Sequence, residues 1–465
     1  MTQKIPEEAL KRQWSLMDKV RGAHGDQTAK PLALVETYGC QQNEADSEKL
    51  RGMLRDMGYD FTTSAKAADV IIINTCAIRE HAEKRVLGSI GALVHTKKAR
   101  PSQIIAVCGC MVQQPRMAEK IRKSFRHVDL VFGPHALWKL PEFMAALLAE
   151  RGRIIDIEGG EGAIAEGLPQ ARDRGVKAWL SVMYGCNNYC TYCIVPYVRG
   201  RERSRNSADI LSEAQDILRT GYRDITLLGQ NVNSYGKDLG GDASFPDLIR
   251  RIGALDGDFR IRFMTSHPKD AGEKLFRAMA ETPKAARHIH LPFQAGSSRV
   301  LKAMNRGYTR EQYLALVQMA RDLMPNIVLT SDVIVGFPGE TEAEFEETLS
   351  LIEQVEFEAL FTFIYSPRGG TPASQLPDPV PKEEKQRRFD RLLDVQNRIS
   401  AKRHAAYIGT RQRVLVDGLS DDPRYSVTGR TDGGRLVRLT GEAAVGSFAD
   451  AAITGASTWS LTGEL

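Results

Sequence analysis

Short apolar runs alternate with helical stretches in the first third of the chain. The runs are rich in β-branched residues, and this alternation is typical of βαβ units on a parallel sheet. The predicted strands are Leu34–Thr37, Val70–Asn74, Gln103–Val107 and Val128–Phe132. The stretch Ser47–Met57 carries apolar residues at helical spacing on one face, which predicts a helix between the first two strands. We therefore predict an N-terminal parallel α/β domain.

A second strand-and-helix rhythm follows an acidic, glycine-rich break at Glu158–Gly167. It has six longer units, and capping-box patterns at Thr309–Gln312 and Thr341–Glu344 mark the starts of two helices. The predicted strands are Trp179–Met183, Ile225–Leu228, Ile261–Met264, His288–Leu291, Ile327–Val335 and Leu360–Tyr365. Because six units are too few for a closed eight-fold barrel, we predict an open, partial (β/α)6 barrel.

The pattern changes again after a proline-rich segment at Ser366–Pro381, which leads into a charged helix at Lys382–Ala406. From Arg411 onward, short alternating runs are broken by Asp-Gly and Thr-Gly pairs that indicate hairpin turns. These runs predict a small C-terminal β-barrel. The fold class is α/β, and the predicted segments are an extension at 1–30, an α/β domain at 31–150, a partial barrel at 170–402 and a β-barrel at 405–465.

Composition narrows the class of protein. The chain has 465 residues, which exceeds what one core usually supports, and 42% of them are hydrophobic. We find no apolar run approaching the ~20 residues that span a bilayer, and the N-terminus lacks the apolar region of a secretory signal. We therefore expect a cytoplasmic protein without a membrane anchor. A net charge of +5 neither requires nor excludes a polyanionic partner.

The seven cysteines favour metal or cluster binding, because their number is odd and a cytoplasmic compartment reduces disulfides. Cys186, Cys190 and Cys193 directly follow the first barrel strand, at the end where such barrels place active sites. Three thiolates at this spacing hold three irons of a [4Fe–4S] cluster and leave the fourth iron open to a substrate.

Two other readings of this loop are open. A structural zinc site needs a fourth ligand, which would be recruited from Cys108, His267, His288 or His290. A redox dithiol of the last two cysteines would leave Cys186 unused.

The remaining cysteines lie one to three residues beyond three predicted parallel strands. Such loops share one edge of a sheet, so Cys40, Cys76 and a third thiolate are expected to converge. Cys108 continues a strand, whereas Cys110 follows a glycine, as Cys40 does, and we choose Cys110 for the third position. The alternative is a set of cysteines buried at unrelated strand ends.

Basic residues alternate immediately after the cysteine loop. On an extended segment this alternation points all of them to one side, which favours phosphate contact, although a solvated charged edge has the same pattern. The residues are Arg199, Arg201, Arg203 and Arg205.

The Cys-x3-Cys-x2-Cys spacing, with an aromatic residue before the last cysteine, resembles the radical S-adenosylmethionine (SAM) superfamily. The resemblance implies that the open iron binds SAM and that reduction cleaves it to methionine and a 5′-deoxyadenosyl radical. It also implies SAM contacts, for which a packing aromatic and an ordinary strand-to-helix loop are the alternatives. The implied contacts are Tyr192, Gln230, Asn231, Gly336 and Glu340.

Further motifs make the chain similar to the methylthiotransferase family along nearly its whole length, with a C-terminal module that resembles a TRAM domain. The motifs are TYGCQQN from Thr37, NTCAIRE from Asn74, GCMVQ from Gly109 and GCNNYCTYCIVPYVRGRERSR from Gly185. Three more resemble the branch that modifies isopentenyladenosine beside the anticodon. They are GQNVNSYG from Gly229, HLPFQAGS from His290 and MNRGY from Met304. Ala295 and a nearly balanced charge in the TRAM-like module depart from the pattern.

The resemblance implies methylthiolation of C2 of N6-isopentenyladenosine at position 37 of transfer RNA, with SAM as radical source and methyl donor. It implies two [4Fe–4S] clusters, the one held by Cys40, Cys76 and Cys110 presenting the sulfur. The expected partners are the anticodon stem-loop and an electron donor such as flavodoxin or ferredoxin, and the enzyme is expected to be a monomer. The alternatives are another transfer RNA adenosine, a ribosomal protein side chain, and a metal-stabilised RNA-binding protein without catalysis.

Overall fold

The computed structural model describes residues 4–25, 29–77, 80–150, 152–157, 162–173, 175–240 and 243–465. Part of the predicted break, residues 158–161, and residues 78–79 of the second cysteine motif lie outside them. Among the helices that are described, we find none with the length and apolar character needed to span a bilayer.

The chain forms two compact units. The first comprises Met1–Arg174, Met183–Asn187 and Cys193–Arg205, and the second comprises Gly175–Val182, Asn188–Tyr192 and Asn206–Leu465. Two short segments from the predicted barrel region, 183–187 and 193–205, thus belong to the first unit.

A six-stranded parallel sheet organises the first unit, in the order β2-β1-β3-β4-β5-β6. Its strands are β1 (Leu32–Thr37), β2 (Asp60–Phe61), β3 (Val70–Thr75), β4 (Ile104–Gly109), β5 (Leu130–Phe132) and β6 (Ile154–Asp156). All four predicted strands are confirmed. The central strands β3 and β4 are buried along their whole length, as expected for apolar strands covered on both faces.

Helices cover both faces of this sheet and enclose two apolar clusters. They are α1 (Glu7–Ala23), α2 (Gln41–Asp56), α3 (Glu80–Ala99), α4 (Pro115–Ser124) and α5 (Leu140–Ala149), with a 3-10 turn at Pro134–Lys139. The predicted N-terminal extension contains α1, which buries Met17 and Val20 in the first cluster with Leu50 and Met53 of α2. The extension is therefore part of the core of this unit.

The chain passes from one unit to the other around the cysteine loop. Strand β7 (Lys177–Ser181) belongs to the second unit, whereas an antiparallel pair, β8 (Met183–Tyr184) and β9 (Arg203–Ser204), belongs to the first. The short helix α6 (Val195–Arg199) lies between β8 and β9.

Six parallel strands form the open barrel of the second unit, as predicted. With β7 they are β10 (Asp224–Leu228), β11 (Arg260–Met264), β12 (His288–His290), β13 (Val328–Val335) and β14 (Ala359–Ile364). They pair as two three-stranded sheets, β11-β10-β7 and β12-β13-β14.

One or two helices follow each barrel strand. They are α7 (Ser207–Arg219), α8 (Phe245–Gly253), α9 (Glu273–Glu281), α10 (Ser298–Ala303), α11 (Arg310–Leu323), α12 (Glu342–Val355) and α13 (Lys382–Ala405). Short 3-10 turns lie at Val232–Ser234, Pro268–Asp270 and Pro372–Gln375. Both predicted capping boxes are confirmed, at the starts of α11 and α12.

A closed five-stranded barrel ends the chain, in the order β15-β16-β17-β19-β18. Its strands are β15 (Arg411–Leu419), β16 (Val427–Thr431), β17 (Leu436–Thr440), β18 (Phe448–Ala456) and β19 (Leu461–Glu464). The turn between β16 and β17 binds the amino ends of the (β/α)6 strands. There the Asp432 carboxylate lies 3.2 Å from Arg260 Nε and accepts the Arg287 backbone N–H at 3.0 Å. Arg262 Nη1 donates to the Asp432 carbonyl at 3.1 Å.

Candidate metal centres

Cys40, Cys76 and Cys110 come together at the carboxyl edge of the first sheet. Each follows one of the neighbouring strands β1, β3 and β4, and the Cys110 N–H donates to the Thr75 carbonyl at 2.8 Å. The Cys40 and Cys76 side chains are in hydrogen-bond contact. The backbones pack so closely that a Cβ on Gly109 would lie 2.4 Å from the Thr75 carbonyl oxygen, so only glycine fits before Cys110.

Two buried asparagines, Asn43 and Asn74, support this arrangement through hydrogen bonds. Asn43 Nδ2 donates to Asn74 Oδ1 and to the Thr75 carbonyl, each at 3.1 Å, and its own Oδ1 lies 3.4 Å from Cys40 Sγ. Asn74 Nδ2 returns a bond to the Asn43 carbonyl at 2.9 Å. The sequence motifs contain both asparagines but did not predict that they hold the cysteine loops. The only signal for this role was the presence of two amide side chains near Cys40 and Cys76.

Arg199 lies against the same cysteines. Its Nε donates to Cys110 Sγ at 3.0 Å, and its Nη1 lies 2.7 Å from Asp46 Oδ2. The hydrogen bond with Cys76 lowers the pKa of Cys40 to about 6, and the nearby Arg199 charge lowers it as well. Burial raises the pKa of Cys110, and Arg199 opposes that rise. The site thus combines thiol donors with a fixed positive charge.

The donor chemistry of these residues matches that of an iron–sulfur cluster. In the described part of the chain, no group of three or more His, Cys, Asp or Glu side chains is arranged around one metal ion. A [4Fe–4S] cluster instead takes one thiolate on each of three separate irons. Arg199 Nη2 has no hydrogen-bond partner among the described residues, so a buried donor remains for an anionic group. These residues fit a cluster with three thiolate ligands.

Cys108 is buried within β4, as expected for a strand residue. It is 1% exposed in β4 and packs in the apolar cluster that contains Ala106, Leu130 and Phe132. Burial raises its pKa well above the ordinary value, and its packing among apolar side chains is that of a structural cysteine.

The cysteines of the second set are divided between the units. Cys186 and Cys193 belong to the first unit, where the Cys186 N–H donates to the Gly200 carbonyl at 3.1 Å. Cys190 belongs to the second unit, where Arg306 Nη1 donates to its sulfur at 3.2 Å. His267 Nε2 lies 4.0 Å from the same sulfur.

The segment Met304–Tyr308 holds the middle of the cysteine loop. Asn305 Nδ2 donates to the carbonyls of Asn188 and Tyr189 at 3.1 and 3.0 Å. The Thr191 N–H donates to the Met304 carbonyl at 3.0 Å. The MNRGY motif contributes to the family resemblance, but the sequence carries no signal that it holds a loop more than a hundred residues away.

Comparison with known proteins identifies the family. The Radical SAM superfamily model matches residues 180–352, Uncharacterized protein family UPF0004 matches 33–133 and the TRAM domain matches 405–465. The tRNA-2-methylthio-N(6)-dimethylallyladenosine synthase of Acetivibrio thermocellus is 48% identical over 99% of this chain and 97% of its own length. The synthase of the same name from Alkaliphilus oremlandii is 48% identical over 99% of this chain and 98% of its own.

The chain belongs to this synthase family.

A solved structure supports the fold. The radical S-adenosylmethionine methyltransferase TsrM from Kitasatospora setae, with cobalamin and a [4Fe–4S] cluster bound, superposes with a TM-score of 0.55. It is 15% identical, and the match covers 74% of each chain. The predicted α/β fold class, with a radical SAM barrel and a TRAM-like module, is therefore confirmed.

The SAM contacts implied for this synthase lie at carboxyl ends of barrel strands. Tyr192 accepts a hydrogen bond at its hydroxyl from Arg306 Nη1 at 3.3 Å. Gln230 and Asn231 follow β10; Asn231 Nδ2 donates to Asp270 at 2.7 Å, and its Oδ1 has no partner among the described residues. These contacts stay predictions.

Gly336 and Glu340 form the turn after β13. The Gly336 N–H donates to Glu340 Oε2 at 2.7 Å, and Arg388 Nη1 lies 3.5 Å from the same oxygen. Burial raises the pKa of Glu340 to about 7. The Glu340 side chain therefore braces the turn from inside the fold, and the SAM contacts implied for Gly336 and Glu340 stay predictions.

The expected row of four phosphate-facing arginines is wrong. Arg199, Arg203 and Arg205 are buried, and Arg205 Nη2 lies 2.6 Å from Glu166. Only Arg201 is exposed. The alternation failed because 195–199 is helical and the chain turns at Gly200, so the segment is not one extended strand.

Proposed function

We propose that this chain adds a methylthio group to C2 of N6-dimethylallyladenosine, the isopentenyladenosine of the sequence prediction, at position 37 of transfer RNA. The observation that carries the proposal is the pair of three-cysteine sets in a chain that matches synthases of that name over nearly its full length. Each set has an arginine N–H at one cysteine sulfur.

We assign the ligands of the auxiliary cluster as Cys40, Cys76 and Cys110, and those of the radical SAM cluster as Cys186, Cys190 and Cys193. When bound, one cluster supplies the electron that cleaves SAM, and the other supplies the sulfur. The protein's own contribution is placement. Asn43 and Asn74 hold the first set, and Asn305 holds the loop of the second. Four of the six cysteines are buried, and Cys40 and Cys193 are partly buried, which limits the access of water to the reaction.

The substrate base has to leave its stack to reach the barrel, and the exposed anticodon loop makes that extrusion inexpensive. For RNA contact we propose Arg201, the exposed member of its group, together with the TRAM module at 405–465. The further proposals are flavodoxin or ferredoxin as electron donor, a monomeric state and a cytoplasmic location. The proposed segments are 31–150, with the extension 1–30 packed against it, 170–402 and 405–465.

Mass spectrometry of transfer RNA nucleosides tests the reaction. A strain without its own synthase should regain 2-methylthio-N6-dimethylallyladenosine when it expresses this chain, and lose it again with Cys110→Ala. An unchanged nucleoside profile alongside a methylthiolated ribosomal protein would refute the transfer RNA assignment.

Iron analysis of the anaerobically reconstituted chain tests the ligands. The wild-type chain should bind about eight irons, and Cys110→Ala about four, because each cluster holds four. Cys108→Ala is the matched control and should retain about eight. A colourless protein that binds zinc and no iron would instead indicate the non-catalytic RNA-binding protein.

A further inference from the structure

The contact between Arg199 and the auxiliary cysteines is the feature that the proposed reaction leaves unexplained. Arg199 is 5% exposed and Asp46 also 5%, so both charges are removed from water. Burying a guanidinium is costly unless every part of its charge is balanced. Asp46 occupies Nη1 and Cys110 occupies Nε, while Nη2 has no partner among the described residues.

A neutral thiol is a weak partner for a buried cation. Among the described residues, Arg199 Nε donates to Cys110 Sγ at 3.0 Å and Nη2 has no partner. Three thiolates on an iron–sulfur cluster would place concentrated negative charge beside Arg199. The arginine is thus arranged for a more anionic neighbour than the thiols alone provide.

The short helix α6 fixes Arg199 in this place. Ile194 and Val198 pack in an apolar cluster with Ala77 and Cys110, which directly anchors α6 on the auxiliary site. Asp46, on α2, holds the guanidinium from the other side at 2.7 Å. Arg199 comes six positions after Cys193, so one short segment carries a ligand of one set and the cation of the other.

We propose that Arg199 is a positioning residue of the auxiliary cluster, and that with Asp46 it sets how readily that cluster accepts an electron. This inference rests on the proposed function, because it requires a cluster at Cys40, Cys76 and Cys110. An N–H donor and a positive charge at a ligand sulfur stabilise the more negative, reduced cluster. Arg199 therefore raises the reduction potential, and Asp46, as a nearby anion, lowers it.

The test is a redox titration with dithionite as the one-electron donor, followed by electron paramagnetic resonance. The titration uses the full-length chain with both clusters. It is repeated on a variant in which Cys186, Cys190 and Cys193 are changed to alanine, so that only the auxiliary cluster contributes to the signal. Arg199→Gln should shift the midpoint potential to a more negative value, and Asp46→Asn to a more positive one. Arg199→Lys, which keeps the charge but loses the planar fork, should lie between Arg199→Gln and the wild type.

Arg205→Gln is the matched control. Arg205 is also 5% exposed, and Glu166 binds its guanidinium as Asp46 binds that of Arg199. It should lower thermal stability and leave the potential unchanged, because both Nε and Nη2 of Arg205 donate to Glu166, whereas Nε of Arg199 donates to the Cys110 sulfur.

The sign of the two shifts decides the result. Equal potentials in the wild type, Arg199→Gln and Asp46→Asn, with about four irons retained in each, would overturn the inference. If Arg199→Gln retains no iron, the midpoint potentials of Arg199→Lys and Asp46→Asn still test the inference. A shift of both potentials in the same direction would also overturn the inference. If the three-alanine background itself binds no iron, the proposed function has failed before Arg199 is tested.

Discussion

At the scale of single residues, the two cysteine sets share one structural feature. A buried arginine donates an N–H to one sulfur in each set, at 3.0 Å from Arg199 to Cys110 and at 3.2 Å from Arg306 to Cys190. Arg306 also donates to the Pro292 carbonyl at 2.8 Å and to the Tyr308 hydroxyl at 3.1 Å. These extra bonds fix the guanidinium, so its position does not depend on a bound cluster.

Backbone conformation at Gly336 is a second residue-scale requirement. Its φ is +71°, and an added Cβ would meet Lys385 Cγ at 2.5 Å. We expect Gly336→Ala to destabilise the fold by at least about 1–2 kcal/mol, the cost of a left-handed conformation with a Cβ, and to weaken SAM binding because the turn shifts. Calorimetry and equilibrium dialysis with SAM measure the two effects.

Gly88→Ala serves as the control for that substitution. Gly88 lies within α3 with no atom within 4 Å of an added Cβ, so the change should raise stability by about 0.5–1 kcal/mol. Equal stability of the two variants would contradict the conformational explanation.

At the scale of elements, the C-terminal barrel is attached to the rest of its unit by polar contacts. Besides the turn at Asp432, the end of α13 binds it through His404. His404 Nδ1 lies 2.8 Å from the Ser457 carbonyl, and Arg435 Nη1 lies 3.1 Å from Nε2. The ring therefore donates from Nδ1 and accepts at Nε2, which requires the neutral imidazole.

This contact predicts a pH dependence of stability. Burial lowers the pKa of His404 below its ordinary value of 6.5, and Arg435 adds to the effect. Because the unfolded chain takes up the proton first, the stabilisation is complete above about pH 6.5 and declines as the pH falls below it. Wild-type protein should unfold at a higher temperature than His404→Gln at pH 7.5, with a smaller difference at pH 5.5.

The exposed His95, in α3, supplies the control. His95→Gln should match the wild type at both pH values. A difference between wild type and His404→Gln that stays constant with pH would refute the role assigned to His404.

At the scale of the whole molecule, we expect cluster binding to be coupled to folding. All six proposed ligands come from loops between elements, and three of them follow separate strands of one sheet. A group that binds only the folded state stabilises it by mass action. We expect the reconstituted chain to unfold at a higher temperature than the iron-free chain in anaerobic calorimetry.

The increase in unfolding temperature on reconstitution should become smaller with each cysteine set that is removed. A variant with Cys40, Cys76 and Cys110 changed to serine should retain part of the gain, and a variant that also lacks Cys186, Cys190 and Cys193 should show none. A full gain in the second variant would mean that iron binds elsewhere.

The sequence by itself determined the elements and the chemistry. Hydrophobic periodicity predicted every strand of the (β/α)6 barrel and four strands of the first sheet, because apolar runs at strand spacing have few other ways to be buried. Cysteine spacing predicted the cluster loop, because local separation limits which irons its thiols reach. The choice of Cys110 over Cys108 also followed from local context, since Cys108 continues an apolar strand.

Only the tertiary structure decided what lies beside those cysteines. The alternation from Arg199 to Arg205 looked like an exposed row, yet packing of α6 against Ala77 and Cys110 turned Arg199 inward to Asp46. Asn305 and Arg306 reach the cysteine loop across more than a hundred residues. Such contacts depend on how elements pack. The periodicity of side chains along one segment carries no information about a partner residue that belongs to a distant segment.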